Sequence, residues 1–277
     1  MNNNVILQID DLTKSFTRNI VNVRGEEEDE RFNIIDKLNM EIFKNKITAL
    51  IGGNGAGKTT LFNIISQFVD IDSGKIEYIT DDESISLLKL QPDKIYRKGI
   101  GRLFQDNHIF LDMTVTENML IADDNRFGEK PFSSLFKPKK NKEIEKNRIE
   151  KMKCVFIKLF GEDNEFWEKR KDLASSLSYG QQRLLSLARI FMSKYKMVLL
   201  DEPTAGVNPQ IISKISSIIK KMPQKDGITV FLIEHNMKVV EDIADWCCFM
   251  SDGYIAAVGS PQDVIGNPNV RKTYMGI

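Results

Sequence analysis

The sequence predicts an α/β fold built on a largely parallel sheet, and three observations carry that prediction. Short apolar runs alternate with stretches of helical periodicity, a glycine-rich loop joins one such run to a helix, and another apolar run ends on adjacent carboxylates. Residues 46–51 (Lys-Ile-Thr-Ala-Leu-Ile) read as a buried strand. Residues 58–68 follow with Leu61, Phe62, Ile64, Ile65 and Phe68 at the spacing of one helix face. Asp72-Ser73-Gly74 marks a turn before an alternating strand at 75–79. Further on, 196–200 and 229–234 read as buried strands, and 211–222 and 237–244 as helices. Residues 246–250 and 254–258 pair across the hairpin turn Ser251-Asp252-Gly253.

Two regions read differently. Near the start, 5–9 and 12–16 look like strands, whereas the acidic run Glu26-Glu27-Glu28-Asp29-Glu30 reads as an exposed loop, because like charges at that density repel. Residues 112–176 are rich in Lys, Glu, Phe and Met and contain no strong strand. Within them 143–160 has helical periodicity, and 127–141, with its lysines and prolines, reads as a mobile loop.

Composition narrows the function. A chain of 277 residues, 42% hydrophobic, suits one large domain or one domain carrying a subdomain. The 39 basic and 39 acidic residues cancel, so no nucleic-acid partner is expected. Cys154, Cys247 and Cys248 form no metal-ligand spacing and read as small buried hydrophobes in a reducing compartment. The first residues lack the basic-then-apolar pattern of a signal peptide, and no window approaches the roughly 18 apolar residues that span a bilayer. Any role at a membrane is expected to come through a partner.

The glycine-rich loop is the most informative segment. Gly52-Gly53-Asn54-Gly55-Ala56-Gly57-Lys58-Thr59 fits the pattern G-x-x-x-x-G-K-[ST]. Glycines let the backbone bend so that several N–H groups face one anion, and the helix that follows adds its positive end. Lys58 then reaches the outer phosphates of a nucleotide, the Thr59 hydroxyl ligates Mg²⁺, and Thr60 is a further candidate for binding the nucleotide. A second acidic site fits the first. Met197-Val198-Leu199-Leu200 leads into Asp201 and Glu202, so the carboxylates lie at the carboxyl edge of the sheet, beside bound phosphates. Asp201 is expected to hold Mg²⁺, and Glu202 to polarise the attacking water.

Between these sites lies Leu177-Ser178-Tyr179-Gly180-Gln181-Gln182-Arg183. The order of the three motifs resembles the ABC ATPases, whose signature usually reads Leu-Ser-Gly-Gly-Gln. The tyrosine is a departure that resembles the variant in the ATPases of branched-chain amino acid and urea importers. Asn208, where most ABC ATPases carry Asp, and the tail Val270-Arg271-Lys272-Thr273-Tyr274-Met275-Gly276 are similar to that group as well.

The resemblance covers nearly the whole chain. It implies a P-loop NTPase (RecA-like) core over 1–105 and 177–277, an N-terminal antiparallel β subdomain, and an inserted α-helical subdomain over 106–176. It implies that Gln105 contacts Mg²⁺ and the attacking water, that His235 contacts the γ-phosphate, and that Phe16 stacks on adenine, with Phe32 as competitor. It implies that Ser178, Tyr179, Gly180 and Gln181 cap the γ-phosphate held by an opposite ATPase subunit, identical or related. Phe104, Phe110 and Met113 are candidates for a groove that receives a helix of a transmembrane permease. The chain would then sit on the cytoplasmic face of the cell membrane as a peripheral subunit, served indirectly by a periplasmic or extracellular solute-binding protein.

The expected function is ATP hydrolysis that powers import of branched-chain amino acids, urea or a similar small polar solute. The alternatives are an exporter ATPase for lipid or drug, and a non-transport ABC ATPase of translation or DNA repair. The latter usually have paired ATPase units, a long coiled-coil insertion or zinc-binding cysteine clusters, none of which appears in this sequence.

Overall fold

A computed structural model describes residues 4–21, 27–123 and 138–275. Its strands are β1 (Val5–Val21), β2 (Glu27–Phe43), β3 (Ile47–Gly52), β4 (Ser73–Ile79), β5 (Ser84–Ser86), β6 (Ile100–Leu103), β7 (Met197–Asp201), β8 (Thr229–Ile233), β9 (Trp246–Ser251) and β10 (Tyr254–Gly259). The longer or site-bearing helices are α1 (Lys58–Ile65), α2 (Pro92–Arg97), α3 (Val115–Ile121), α4 (Pro138–Phe160), α5 (Glu165–Glu168), α6 (Tyr179–Ile190), α7 (Pro209–Lys221) and α8 (Met237–Ile243).

Three apolar strands, β3, β7 and β8, are buried at every residue, as strands covered on both faces must be. They lie inside a six-stranded sheet of order β10-β9-β3-β8-β7-β6. β3 runs parallel to both β8 and β9, β7 runs parallel to β8, and only the β9–β10 hairpin is antiparallel among the paired strands described. The parallel arrangement sends β3, β7 and β8 to the same sheet edge, which is where the loops that follow them meet.

A separate four-stranded antiparallel sheet, of order β2-β1-β4-β5, corrects the reading of the N-terminal region. The two short strands expected there are one, β1, with an irregular register between Ile9 and Leu12. The acidic run is not a loop. Glu27, Glu28, Asp29 and Glu30 open β2 and pair with Val21, Ile20, Asn19 and Arg18. Asp29 and Glu30, as neighbours in a strand, fall on opposite faces, and the Arg18 Nε donates to Glu30 at 2.7 Å, so the repulsion that argued for a loop is partly neutralised. Arg24 and Glu26 lie outside the described residues.

Other expectations shift at their edges. α4 starts at Pro138, so the end of the expected loop is helical, while 127–137 lie outside the described residues. Cys247 and Cys248 are buried, and burial pushes the Cys247 thiol up to about 12. Cys154 is exposed, contrary to expectation, because it falls on the outer face of α4.

The chain divides into two units. The first comprises Met1–Arg102, Lys196–Pro203 and Ile219–Ile277 and contains both sheets. Its principal core joins Leu7, Leu38, Phe62, Tyr78, Leu199 and Phe231, all without exposed surface. The second, Leu103–Tyr195 with Thr204–Ile218, is helical. Asp123, 2% exposed, is held there by Arg148 at 2.9 Å and Lys151 at 2.7 Å, a buried carboxylate with both neighbours cationic. Among the described residues no helix is long and apolar enough to cross a membrane.

Candidate nucleotide site

β3 ends in the glycine loop, and two of its glycines are demanded by close approach. A Cβ on Gly52 would lie 2.2 Å from the Met250 carbonyl oxygen on β9. Gly57 has φ 101°, and a Cβ there would lie 2.6 Å from the Ile34 carbonyl oxygen. Gly53 and Gly55 would meet nothing within 4 Å, so the outer side of the loop is open. Ala56 is buried, whereas Asn54 and Thr59 are exposed and Thr60 half-buried.

α1 follows without a break. Gly57 is its N-cap and offers no side chain, and its first turn holds no acidic residue. Helices α3, α6 and α8 are each capped by a side chain, from Thr114, Ser178 and Asn236. The N–H groups that open α1 therefore keep the character of an anion site.

Lys58, 5% exposed, folds over this loop. Its Nζ donates to the carbonyl oxygens of Gly52 and Gly53, each at 2.8 Å. Burial pushes its pKa down, and the carboxylates of Glu202 and Asp201 push it back up. A cation is thus stored at the mouth of the loop, with acids as its counter-charge.

The acids arrive by sheet register. Asp201 at the end of β7 lies opposite Ile233 at the end of β8, which places Glu202 beside the residues that follow β8. The Glu202 amide donates to the Ile233 carbonyl at 2.9 Å, and its Oε1 lies 3.0 Å from Nε2 of His235. Glu202 has φ 46°, a left-handed conformation that costs a non-glycine residue roughly 1–3 kcal/mol and that its neighbours must enforce. The His235 amide in turn donates to Oε2 of the buried Glu234 at 2.9 Å.

Asp201 is 1% exposed, and the Arg102 guanidinium lies 3.5 Å from its Oδ2. Arg102 also donates to Ser66 Oγ at 3.2 Å and lies 5.8 Å from the Phe62 ring centroid. Sequence reasoning misses Arg102, although one signal is present: it is the single charge in the strand Ile100-Gly101-Arg102-Leu103. The donor set suits a hard divalent cation, since Thr59 and Asp201 offer only oxygen.

Gln105, Ser178, Tyr179, Gly180 and Gln181 belong to the second unit. Gln105 is exposed in the loop after β6. Ser178 caps α6 through a reciprocal pair: Gln181 N donates to Ser178 Oγ at 3.3 Å, and Ser178 N donates to Gln181 Oε1 at 2.9 Å. The Tyr179 ring is 48% exposed and packs over Gly206, where an added Cβ would lie 3.3 Å from Cε1. A Cβ on Gly180 would lie 3.0 Å from Ile211 Cγ1. Asn208 Oδ1 accepts from the Ile211 amide at 3.0 Å and so serves the start of α7.

Phe16 and Phe32 turn out to be direct cross-strand partners, 40% and 36% exposed. Lys14 Nζ lies 5.2 Å from the Phe16 centroid, and Arg18 Cζ lies 5.3 Å from that of Phe32. The competitor is therefore a neighbour on the same face of the sheet. Phe16→Ala is expected to weaken ATP binding by about 1–3 kcal/mol, the worth of one base–aromatic stack, and Phe32→Ala by less. Titration of both variants with nucleotide checks the ranking, and the reverse order would move the stack to Phe32.

Comparison with known proteins agrees with this geometry. Residues 35–205 match the family model described as ABC transporter. The chain is 34% identical over 242 residues to the high-affinity branched-chain amino acid transport ATP-binding protein BraF of Pseudomonas aeruginosa, covering 87% of this chain and 91% of that protein. It is 34% identical over 266 residues to the probable branched-chain amino acid transport ATP-binding protein LivG of Methanocaldococcus jannaschii, covering 94% and 96%. The ADP conformation of an ATP-binding cassette of an ABC transporter superposes with a TM-score of 0.76 at 31% identity, over 99% of both chains. With a phosphate loop, a carboxylate pair and a histidine at one sheet edge, and with these relatives along its length, the chain belongs to the ABC transporter family and is one of its ATP-binding, ATP-hydrolysing subunits.

Proposed function

We propose that this ATPase drives import of branched-chain amino acids or a similar small polar solute, working with transmembrane permease subunits on the cytoplasmic face of the membrane. The observation that carries the reading is the likeness to branched-chain amino acid transport ATP-binding proteins along 87–94% of the chain. Tyr179 and Asn208 support it through their resemblance to the importer ATPases; Tyr179 packs over Gly206, and Asn208 accepts from the Ile211 amide.

In this reading the α1 N–H groups and Lys58 take the β- and γ-phosphates, which replace the Gly52 and Gly53 carbonyls as partners of the ammonium. Thr59 and Asp201 would hold Mg²⁺, with Gln105 as a further oxygen donor; its chemistry there is neutralisation of charge on the phosphate oxygens. Glu202 orients a water and accepts its proton as the new water–phosphorus bond forms and the β–γ bridge bond breaks, leaving ADP and phosphate. His235 fixes the Glu202 carboxylate through the 3.0 Å contact and faces the γ-phosphate. Ser178, Tyr179, Gly180 and Gln181 serve the nucleotide of an opposite ATPase subunit, whose phosphate takes the place of the Ser178–Gln181 cap, so that bound ATP joins two chains.

The helical subdomain, 106–176, is the permease-facing part. Phe110 and Leu111 are 48% and 47% exposed, and Leu173, 48% exposed, lies on the strand-like segment bonded to theirs through Ser175 N and Leu111 O. Such a cluster suits an apolar helix of a membrane subunit. Purification of the tagged chain from its native membrane in mild detergent tests the reading by mass spectrometry. Polytopic permease subunits are expected, with or without a second ATPase. Recovery of ribosomal or DNA-repair proteins without any membrane protein would overturn the transport role and leave the ATPase standing.

A further inference from the structure

We infer that Arg183 is a positioning residue that ties the loop carrying Gln105 to the helix carrying Ser178, and thereby couples the two nucleotide sites of an ATPase dimer. The inference rests on the dimeric ATPase reading above.

Arg183 lies in α6, one turn beyond its cap, and is the largest of the side chains buried to below 2% exposure. Burying a guanidinium is costly unless acceptors are supplied. Three of its acceptors come from one short stretch of chain. Nη1 lies 3.0 Å from the Phe104 carbonyl, 2.8 Å from the Gln105 carbonyl and 3.3 Å from Asn107 Oδ1. A second arginine of the same helix acts on the next residue, since Arg189 Nη1 donates to the His108 carbonyl. The loop after β6 has left the sheet at Leu103, so its carbonyls need partners other than a strand, and α6 provides them.

The consequence follows from where the two ends of this connection work. The Gln105 carbonyl is held by Arg183, so the placement of the exposed Gln105 follows α6, and in the proposed reading that glutamine serves the chain's own nucleotide. The N-terminus of the same helix, capped by Ser178, serves in that reading the nucleotide of the opposite subunit. When α6 engages that second nucleotide, Gln105 is held in register with it through Arg183. Occupancy of one site then alters the other, and the coupling is reciprocal. A side chain that only filled the core of the second unit would not transmit this.

Arg183→Lys keeps the charge, but its ammonium ends one bond short of the Nη1 position that reaches all three acceptors. The full-length chain and this variant are compared in three measurements: ATP affinity at low protein concentration, ATP-driven dimerisation in a Glu202→Gln background, and the ATP dependence of hydrolysis. The wild type is expected to hydrolyse ATP with a Hill coefficient approaching its limit of about 2, the number of sites. Arg183→Lys is expected to keep its ATP affinity within about twofold, because the phosphate loop belongs to the other unit. Its Hill coefficient should fall toward 1, and its maximal rate by about tenfold or more. Asn107→Ala, which removes an acceptor outside the core, should lower the Hill coefficient in the same direction and serves where Arg183→Lys fails to fold.

If both variants retain wild-type cooperativity and rate, Arg183 only packs, and the inference is overturned while the dimeric reading stands. If the Glu202→Gln chain stays monomeric with saturating ATP, the dimeric reading fails and takes the inference with it.

Discussion

Replacing Glu202 with glutamine is expected to lower ATP hydrolysis about 10²- to 10⁴-fold, the range in which a positioned general base contributes, with ATP binding intact. The geometry makes the substitution a clean one. The amide is isosteric with the carboxylate, and its Oε1 still accepts from Nε2 of His235 at the 3.0 Å position. The left-handed backbone at φ 46° is enforced by the Ile233 carbonyl and the strand pairing before it, neither of which the substitution touches. What is lost is the capacity to take a proton from water. Binding should not weaken, since removal of a negative charge beside Lys58 lessens repulsion of the phosphates. The chain should therefore accumulate with ATP uncleaved, and in the proposed dimer the shared nucleotide should hold two chains together. Gel filtration with ATP reads this as a shift from monomer to dimer. A persistent monomer at high protein concentration would count against the shared-site reading, and hydrolysis at the wild-type rate would remove Glu202 from the role of base.

The residues of this site differ in how far the sequence discloses them. The phosphate loop is legible because its chemistry requires contiguous residues: the bend, the ammonium and the hydroxyl must follow one another within Gly52–Thr59. Asp201 and Glu202 are legible because a buried strand has to end where they stand. His235 is different. Its contact with Glu202 depends on β7 and β8 being neighbours, a fact of sheet order that periodicity does not encode, and it is readable only through family resemblance.

The partners of two arginines are not legible in the sequence, even though Arg102 stands out as the single charge of its strand. Arg102 pairs with Asp201 across 99 residues, and Arg183 holds Gln105 across 78, through a backbone carbonyl that every residue possesses. The acidic run is misread for a related cause. Like-charge repulsion is visible within the run itself, but the opposing strand that accepts it, with Arg18 facing Glu30, is not. Where local chemistry decides, the sequence suffices; where a partner arrives from another element, it does not.

Lys58→Ala is expected to weaken ATP binding at least about tenfold and up to about 150-fold, from loss of a charged phosphate contact worth roughly 1.5–3 kcal/mol. Two features of the structure place the effect toward the upper end. Lys58 offsets the charge of Glu202 and Asp201, beside the Arg102 that also faces Asp201, so its removal raises the negative charge that an incoming polyanion meets. The α1 N–H groups remain, but they carry only partial charge and act over the first turn. The variant also leaves the Gly52 and Gly53 carbonyls without the ammonium, which costs about 1–3 kcal/mol for each that stays buried and unpaired. A displaced loop would add to the loss of affinity, and thermal melting without nucleotide measures that part. Lys58→Arg separates the two causes. It restores a positive charge but replaces a compact ammonium with a planar fork, too broad for the position between the Gly52 and Gly53 carbonyls. If charge alone governs binding, the arginine variant recovers affinity; if the cradle is shaped for an ammonium, it does not. Affinity unchanged in the alanine variant, with its fold intact, would sink the assignment of Gly52–Thr59 as the phosphate site, and with it the roles of Thr59, Asp201 and Glu202 in binding Mg²⁺ and activating water. The glutamine variant at 202 stops the reaction after binding, whereas the alanine variant at 58 stops it before, and only a site in which the loop precedes the acids in the reaction predicts that order.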